Sequence, residues 1–272
     1  MQQTDQASPM HEPATSQYLS KGGVPVSGVP ALSFERVLGE LHRDYGVSAQ
    51  QITEAASYSM AMVVRAALGL SAAGGRICAL ATDSLPGWIA LATIRHLANG
   101  GADPVVVLVT PPQRPSLELE AQLKPLTKMG LPVFDWAPSG DEKDLSQLLE
   151  SCHNCILGVS APGTSEPSFL KPLVELLGDL PTPAHCIQTP LGIDADSGAI
   201  RSSALFASST LSLGIPLQGL HVAREYVGRH YVCDISLTRQ QYMSVGQDLT
   251  LLFADQPVVQ LIPAEDAQKP VS

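Results

Sequence analysis

The chain has 272 residues, 44% of them hydrophobic, with 16 Lys and Arg against 26 Asp and Glu, a formal net charge of -10. That length allows one large or two small globular domains, the acid excess argues against nucleic acid or an anionic membrane as partner, and no apolar run approaches the ~18 residues of a membrane span. Five cysteines, an odd number in strand-like runs, suit a reducing cytoplasm, and the start MQQTDQASPMHEPATSQYLSKGG lacks the basic and apolar regions of a secretory signal.

Residues 1–30 are rich in Gln, Ser, Thr, Pro and Gly without an apolar period, which predicts a disordered arm. Ser33 is a candidate N-cap for a helix with Phe34, Val37, Leu38 and Leu41 on one face. Ser48 can cap a second helix over 49–70. Its face of Ile52, Ala55, Ala56, Ser59, Met60, Val63, Ala66 and Ala67 is small enough to approach a sheet or a second subunit closely. The organising stretch comes next. RICALA (76–81) is a nearly continuous apolar run, as in a strand buried on both faces. TDSLPG then brings turn formers, and from Trp88 a helical face of Ile89, Leu91, Ala92, Ile94 and Leu97 runs to the stop at Asn99, Gly100 and Gly101. DPVVVLV (103–109) is the following strand. This is a β-turn-α-β unit.

Downstream the pattern predicts a helix over 117–129 that Pro125 ends or bends, a strand over 131–136 and a helix over 141–149. A strand over 152–159, a loop over 160–165, a helix over 168–177 and a strand over 184–189 follow, running into the double turn PLGIDADSG. Strands over 210–214 and 229–235, an edge strand over 249–253 and a flexible tail over 255–272 complete the chain. Regular alternation of this kind implies a three-layer αβα sandwich with a mostly parallel, Rossmann-like sheet, as one domain over 31–254.

The turn after the first strand of such a unit sits at the carboxyl edge of the sheet, where a helix N-terminus offers N–H groups to an anion. Here Gly87 is the lone glycine, Pro86 removes a donor and Asp83 adds negative charge. An ordinary β-to-α connection outweighs a phosphate cradle by roughly three to one. Cys152-x-x-Cys155 sits at a strand start, without the helix dipole that lowers a redox thiol pKa and without a second pair to hold zinc. Buried strand cysteines are favoured at roughly nine in ten. The seven histidines form no metal-like grouping. Asp194 and Asp196 in GIDADSG either meet a ribose hydroxyl or cation, or cap their own turn; the two readings stand about even.

From about 32 to 237 the order of segments resembles the YjeF N-terminal family, the NAD(P)H-hydrate epimerases. The residues that carry the likeness are ITEAASYSM with Glu54, the strand-turn-helix ending in Arg95-His96-Leu97, CILG at 155–158, TPLGIDADSG at 189–198, and Gly228 with VCDIS at 232–236. The resemblance implies an αβα sandwich, usually dimeric, that epimerises hydrated NADH or NADPH. The family's site combines a Gly-Asn-Asn-Gly-Gly-Asp-Gly turn, a strand-end aspartate and an Asp-Ile-Pro-Ser-Gly turn around a potassium ion. Counting back from Arg95, the glycine-rich turn falls on SLPGWIA, where only Gly87 matches. Leu85 and Pro86 replace the asparagines, Ile89 replaces the aspartate, and Trp88 replaces a glycine that admits ligand, so the pocket is expected to be filled. The catalytic aspartate falls on Asn154, isosteric but unable to serve as a carboxylate base. Gln188 and Leu191 stand where Asp and Ser would be, whereas Pro190, Gly192, Asp194, Asp196 and Gly198 are kept. Loss of a general base alone costs ~10²–10⁴-fold in rate.

The resemblance therefore implies a cytoplasmic, homodimeric YjeF-like domain without epimerase activity, acting in binding, scaffolding or regulation with a small nucleotide or a protein as partner. The candidate residues are Asn154 at the catalytic position and Asp83, Gly87, Gly158, Pro190, Gly192 and Asp194 for substrate, with no metal ligand. The alternative is an active NAD(P)H-hydrate epimerase or a related nucleotide-metabolite enzyme, rebuilt around Asp83, Asn154 and Asp194. In that case potassium and NAD(P)H-hydrate bind and a pocket opens beside Gly87 and Gly158. A third reading is a structural subunit whose partner covers the helix over 49–70.

Overall fold

The computed structural model describes residues 16–68, 74–138, 142–159 and 167–267. Two short strands, β1 (Tyr18–Ser20) and β2 (Pro25–Val26), precede helices α1 (Ala31–Arg43) and α2 (Ala49–Leu68). The central unit is β3 (Arg76–Ala81), α3 (Leu85–Asn99) and β4 (Asp103–Val109). Then come α4 (Leu117–Lys128), β5 (Val133–Trp136), α5 (Glu142–Glu150), β6 (Asn154–Gly158), α6 (Leu170–Gly178), β7 (Ala184–Ile187) and β8 (Ser209–Leu213). Short helices α7 (Gly219–Val222) and α8 (Arg224–Val227) lead to β9 (Arg229–Cys233), α9 (Arg239–Ser244), β10 (Val258–Pro263) and α10 (Ala264–Ala267).

The strands form one sheet in the order β2-β1-β10-β9-β8-β7-β6-β3-β4-β5. From β9 to β5 every pairing is parallel, and β10, β1 and β2 add an antiparallel margin. Side chains of β3 alternate between two cores, as the two-residue strand period requires. Ile77, Ala79 and Ala81 join Val37, Met60, Ile89 and Leu119 from α1 to α4 on one face. Cys78 and Leu80 join Leu149 of α5 and Leu173 of α6 on the other. Helices on both faces explain why RICALA and DPVVVLV read as continuous apolar runs. The αβα sandwich is as expected, and all five cysteines are buried thiols within it.

From β3 the chain moves outward to β4 and β5, then returns to place β6 on the opposite side of β3. The order reverses between β3 and β6. In open α/β sheets, ligands bind beyond the carboxyl ends of the strands at such a point.

The expected limits of the domain need correction at both ends. Within 16–30, Tyr18–Ser20 and Pro25–Val26 are strands of the sheet rather than a loose arm. Tyr18 is 2% exposed, Val26 is fully buried, and β1 pairs with β10 on one side and β2 on the other. Pro25 is tolerated because β2 is the outermost strand, where a missing ladder donor is harmless. At the far end, 249–253 forms turns, and the strand is β10, inside the expected tail. The remainder of both expected end segments, 1–15 and 268–272, lies outside the described residues.

Several local expectations shift for physical reasons. Helix α1 starts at Ala31 rather than after Ser33, and the Ala31 N–H donates to the distant Asp196 carboxylate at 2.7 Å. Helix α3 starts at Leu85, because Pro86 fits a first turn whose N–H has no partner to lose. Helix α4 continues through Pro125 to Lys128. Ser48 does cap α2, in a reciprocal pair with Gln51: the Gln51 N–H donates to Ser48 Oγ at 3.2 Å, and the Ser48 N–H donates to Gln51 Oε1 at 2.8 Å. Much of the small-residue face of α2, including Ala56, Ser59, Met60 and Val63, is buried within this chain. Nearby, Arg95 of α3 reaches Glu54 of α2 at 2.5 Å. The expected helix start at Asp141 and the loop over 160–165 lie outside the described residues.

Candidate functional site

At the reversal point the first turn of α3 lies directly on the end of β6. The Thr82 N–H donates to the Gly158 carbonyl at 3.1 Å. A Cβ on Gly87 would stand 1.8 Å from the Thr82 carbonyl oxygen, and one on Gly158 2.2 Å from that of Pro86. These glycines let backbone meet backbone within the chain, so the space beside them holds protein rather than a ligand. Gly158→Ala is expected to destabilise the fold by ~1–3 kcal/mol, since the helix must lift to clear the methyl group. Urea unfolding measures it, and an unchanged midpoint would refute the contact.

Asp83 is committed to the frame. Its Oδ1 accepts from the Trp88 indole N–H at 2.8 Å and the Ser116 hydroxyl at 2.5 Å, and its Oδ2 accepts from the Ser116 N–H at 2.8 Å. Burial raises the pKa of this carboxyl, but the bonds from Ser116 and Trp88 outweigh it and hold the group below the usual range. Asp83 thereby ties the turn after β3 to the start of α4. Asp194 closes its own turn, accepting from the Ser197 N–H at 2.9 Å, the Ser197 hydroxyl at 2.8 Å and the Asp196 N–H at 3.2 Å. The Ser197 backbone bond is the main reason its carboxyl too is held low.

Beside these turns lies a cleft of about 440 Å³ between α1, the start of α3 and the segment after β7. Leu85, Pro86, Pro190, Leu191 and Gly192 give it an apolar wall; Ser84, Gln188, Thr189, Glu35 and Arg201 supply polarity. Gln188 holds a left-handed backbone, φ 74°, a conformation costing a non-glycine residue about 1–2 kcal/mol. Val159 lines the cleft, and the residues that follow it, 160–166, lie outside the described residues.

The predicted site residues thus divide. Pro190 and Gly192 line the cleft; Gly87, Gly158, Asp83 and Asp194 support the loops around it. Trp88 does not fill the cleft. Its indole turns to Asp83 and lines a neighbouring groove with Leu38, His42 and Glu118. Asn154 belongs to another place altogether. It opens β6, so it stands about 13 Å along the strand from Gly158, at the amino edge of the sheet, and bonds to His185 Nε2 at 2.7 Å. An amide there cannot share a site with the carboxyl-edge loops. Glu35, Ser84, Thr189 and Arg201 were not legible as site residues, because only the packing of α1 and the 188–201 loop brings them together.

A mostly parallel open sheet with a cleft at its reversal point defines a Rossmann-like three-layer α/β protein. Residues 49–219, well over half of the chain, match the family described as YjeF-related protein N-terminus, and the chain belongs to that family. Over 204 residues it is 25% identical to the bifunctional NAD(P)H-hydrate repair enzyme Nnr of Thermofilum pendens. That match covers 74% of this chain but 38% of the relative. The crystal structure of the yeast protein YNL200c superposes with a TM-score of 0.73 at 22% identity, covering 88% of this chain and all of that one, a likeness of fold. No helix among the described residues is long and apolar enough to cross a membrane.

Proposed function

We propose that this chain is a ligand-binding member of the YjeF-related family that does not epimerise hydrated NADH or NADPH. Its carboxyl-edge cleft holds a small nucleotide or metabolite in a binding or regulatory role. The observation that carries this reading is the commitment of Asp83 and Asp194 to loop hydrogen bonds outside the cleft. A general base must lie within hydrogen-bond reach of the proton it takes, and neither aspartate lines the space where a substrate would sit. The same commitment bears on potassium, a cation held by oxygen donors. Both oxygens of Asp83 and Oδ1 of Asp194 accept N–H and O–H bonds, and Asp194 Oδ2 already faces the Arg201 guanidinium at 4.0 Å, so these residues do not fit a bound cation. The expected result is no conversion of one NADH-hydrate epimer to the other above the spontaneous rate, with or without potassium, measured by separating the epimers over time. Catalysed interconversion would overturn the reading.

An enzyme with a rebuilt site has one feature in its favour, the presence of Glu35 and Arg201 together in an open cleft. The same assay, extended to related nucleotides, decides between the two.

A further inference from the structure

A second cavity, of about 560 Å³, lies at the amino edge of the sheet beneath the C-terminal part of α2. Its floor is set by register. His185 of β7 pairs with Ser209 of β8, and Ser209 pairs with Arg229 of β9, which puts their side chains in a row on one sheet face beside Asn154. His185 Nε2 is 2.7 Å from Asn154 Oδ1, and its Nδ1 is 2.7 Å from Ser209 Oγ. A carboxamide oxygen only accepts, so Nε2 carries the proton and the Ser209 hydroxyl donates to Nδ1. Histidine, serine and the Asn154 oxygen are then satisfied, all three residues being 5% exposed or less.

What the chain leaves over is donors. The Asn154 NH₂ group has no hydrogen-bond partner among the described residues and keeps solvent contact through the cavity. The Arg229 side chain, exposed at the mouth, makes no ion pair or hydrogen bond among the described residues. No Asp or Glu lines the cavity, in a chain with 26 of them. A planar guanidinium matches two oxygens of one group, and a carboxamide N–H open to the cavity offers the same ligand a further donor. The end of α2 carries the opposing helix-dipole sign, about half a charge, which a full guanidinium charge exceeds.

We propose that this amino-edge cavity binds a small oxyanion, the carboxylate or phosphate group of a compact metabolite, through the Arg229 guanidinium and the Asn154 NH₂. His185 and Ser209 are positioning residues that fix which way the carboxamide faces. The site is separate from the carboxyl-edge cleft and does not depend on what that cleft binds.

The test is calorimetric titration of the whole protein with inorganic phosphate and, separately, acetate, at constant ionic strength. Saturable binding of at least one anion is expected, and which one binds distinguishes a phosphorylated ligand from a carboxylic one. Arg229→Gln should weaken it at least about ten-fold, the loss of one charge-assisted pair. Arg229 is exposed, and an unchanged Tm without anion verifies that the variant is folded. Lys124→Gln, on the exposed side of α4 and lining neither cavity, should leave the affinity as it was. No saturable binding, or equal binding by Arg229→Gln, overturns the proposal.

Discussion

As pH falls from 6.5 toward 4, the protein is expected to lose stability at up to about 2.7 kcal/mol per pH unit, twice the single-proton slope. Two histidines are responsible. Burial, aided by the Arg229 charge, pushes the His185 imidazole down to about 4, and burial alone pushes His230 down to about 3. Both are neutral in the fold, whereas the unfolded chain takes up their protons near 6.5. Below that pH the unfolded state binds more protons, so this stability is complete above 6.5 and drains away as pH drops through the folded values. His96, lowered chiefly by its own burial against the pull of Glu54, adds in the same direction. Asp83 and Asp194 are also held low, but their contribution is lost only below the ordinary carboxylate range near 4. Urea midpoints measured from pH 7.5 to 4.5 give the slope, and His185→Gln or His230→Gln should each remove about half of it. A flat profile would mean that these imidazoles are not held neutral.

Tyr18→Ala should cost about 3–5 kcal/mol, as for other buried aromatic side chains cut to Ala. The ring is 2% exposed and meets His221 and His230 edge-on, with centroids 5.5 and 5.0 Å away. In a domain of this size that loss lowers Tm by roughly 6–20 °C, which calorimetry resolves easily. Tyr18→Phe is the companion measurement. The buried hydroxyl has no hydrogen-bond partner among the described residues, so its removal should be neutral or stabilising. A Tyr18→Ala protein melting like the parent would mean that the first strands are only loosely attached.

The sandwich was legible because parallel strands covered on both faces leave long apolar runs, and DPVVVLV coincides with β4 residue for residue. The outer strands β1 and β2 were not, since strands of three and two residues are too short to display a period. Capping at α1 was hidden for a different reason: the acceptor, Asp196, is 165 residues away. The glycines at 87 and 158 could be picked out as places of close approach, but only the packing tells whether a ligand or the chain itself comes close. Asn154 shows the limit most clearly. Counting along a motif gives a residue's position in the strand order, but which edge of the sheet it occupies depends on register with neighbours on either side. His185 escaped notice for the same reason, because its partners arrive from two other strands.

The pairing of β1 with β10 has a further consequence. Tyr18 lies opposite Pro263, and the Ala264 N–H donates to the Gln17 carbonyl at 3.0 Å. The first and last strands of the sheet therefore leave it side by side, about one strand spacing, ~5 Å, apart. A short linker could join them without disturbing the core, and the chain could be reopened at a surface loop as a circular permutant of the same architecture. Chain that runs in before Tyr18 and chain that runs on after Pro263 therefore meet the sheet at neighbouring points of one edge-side pair of strands.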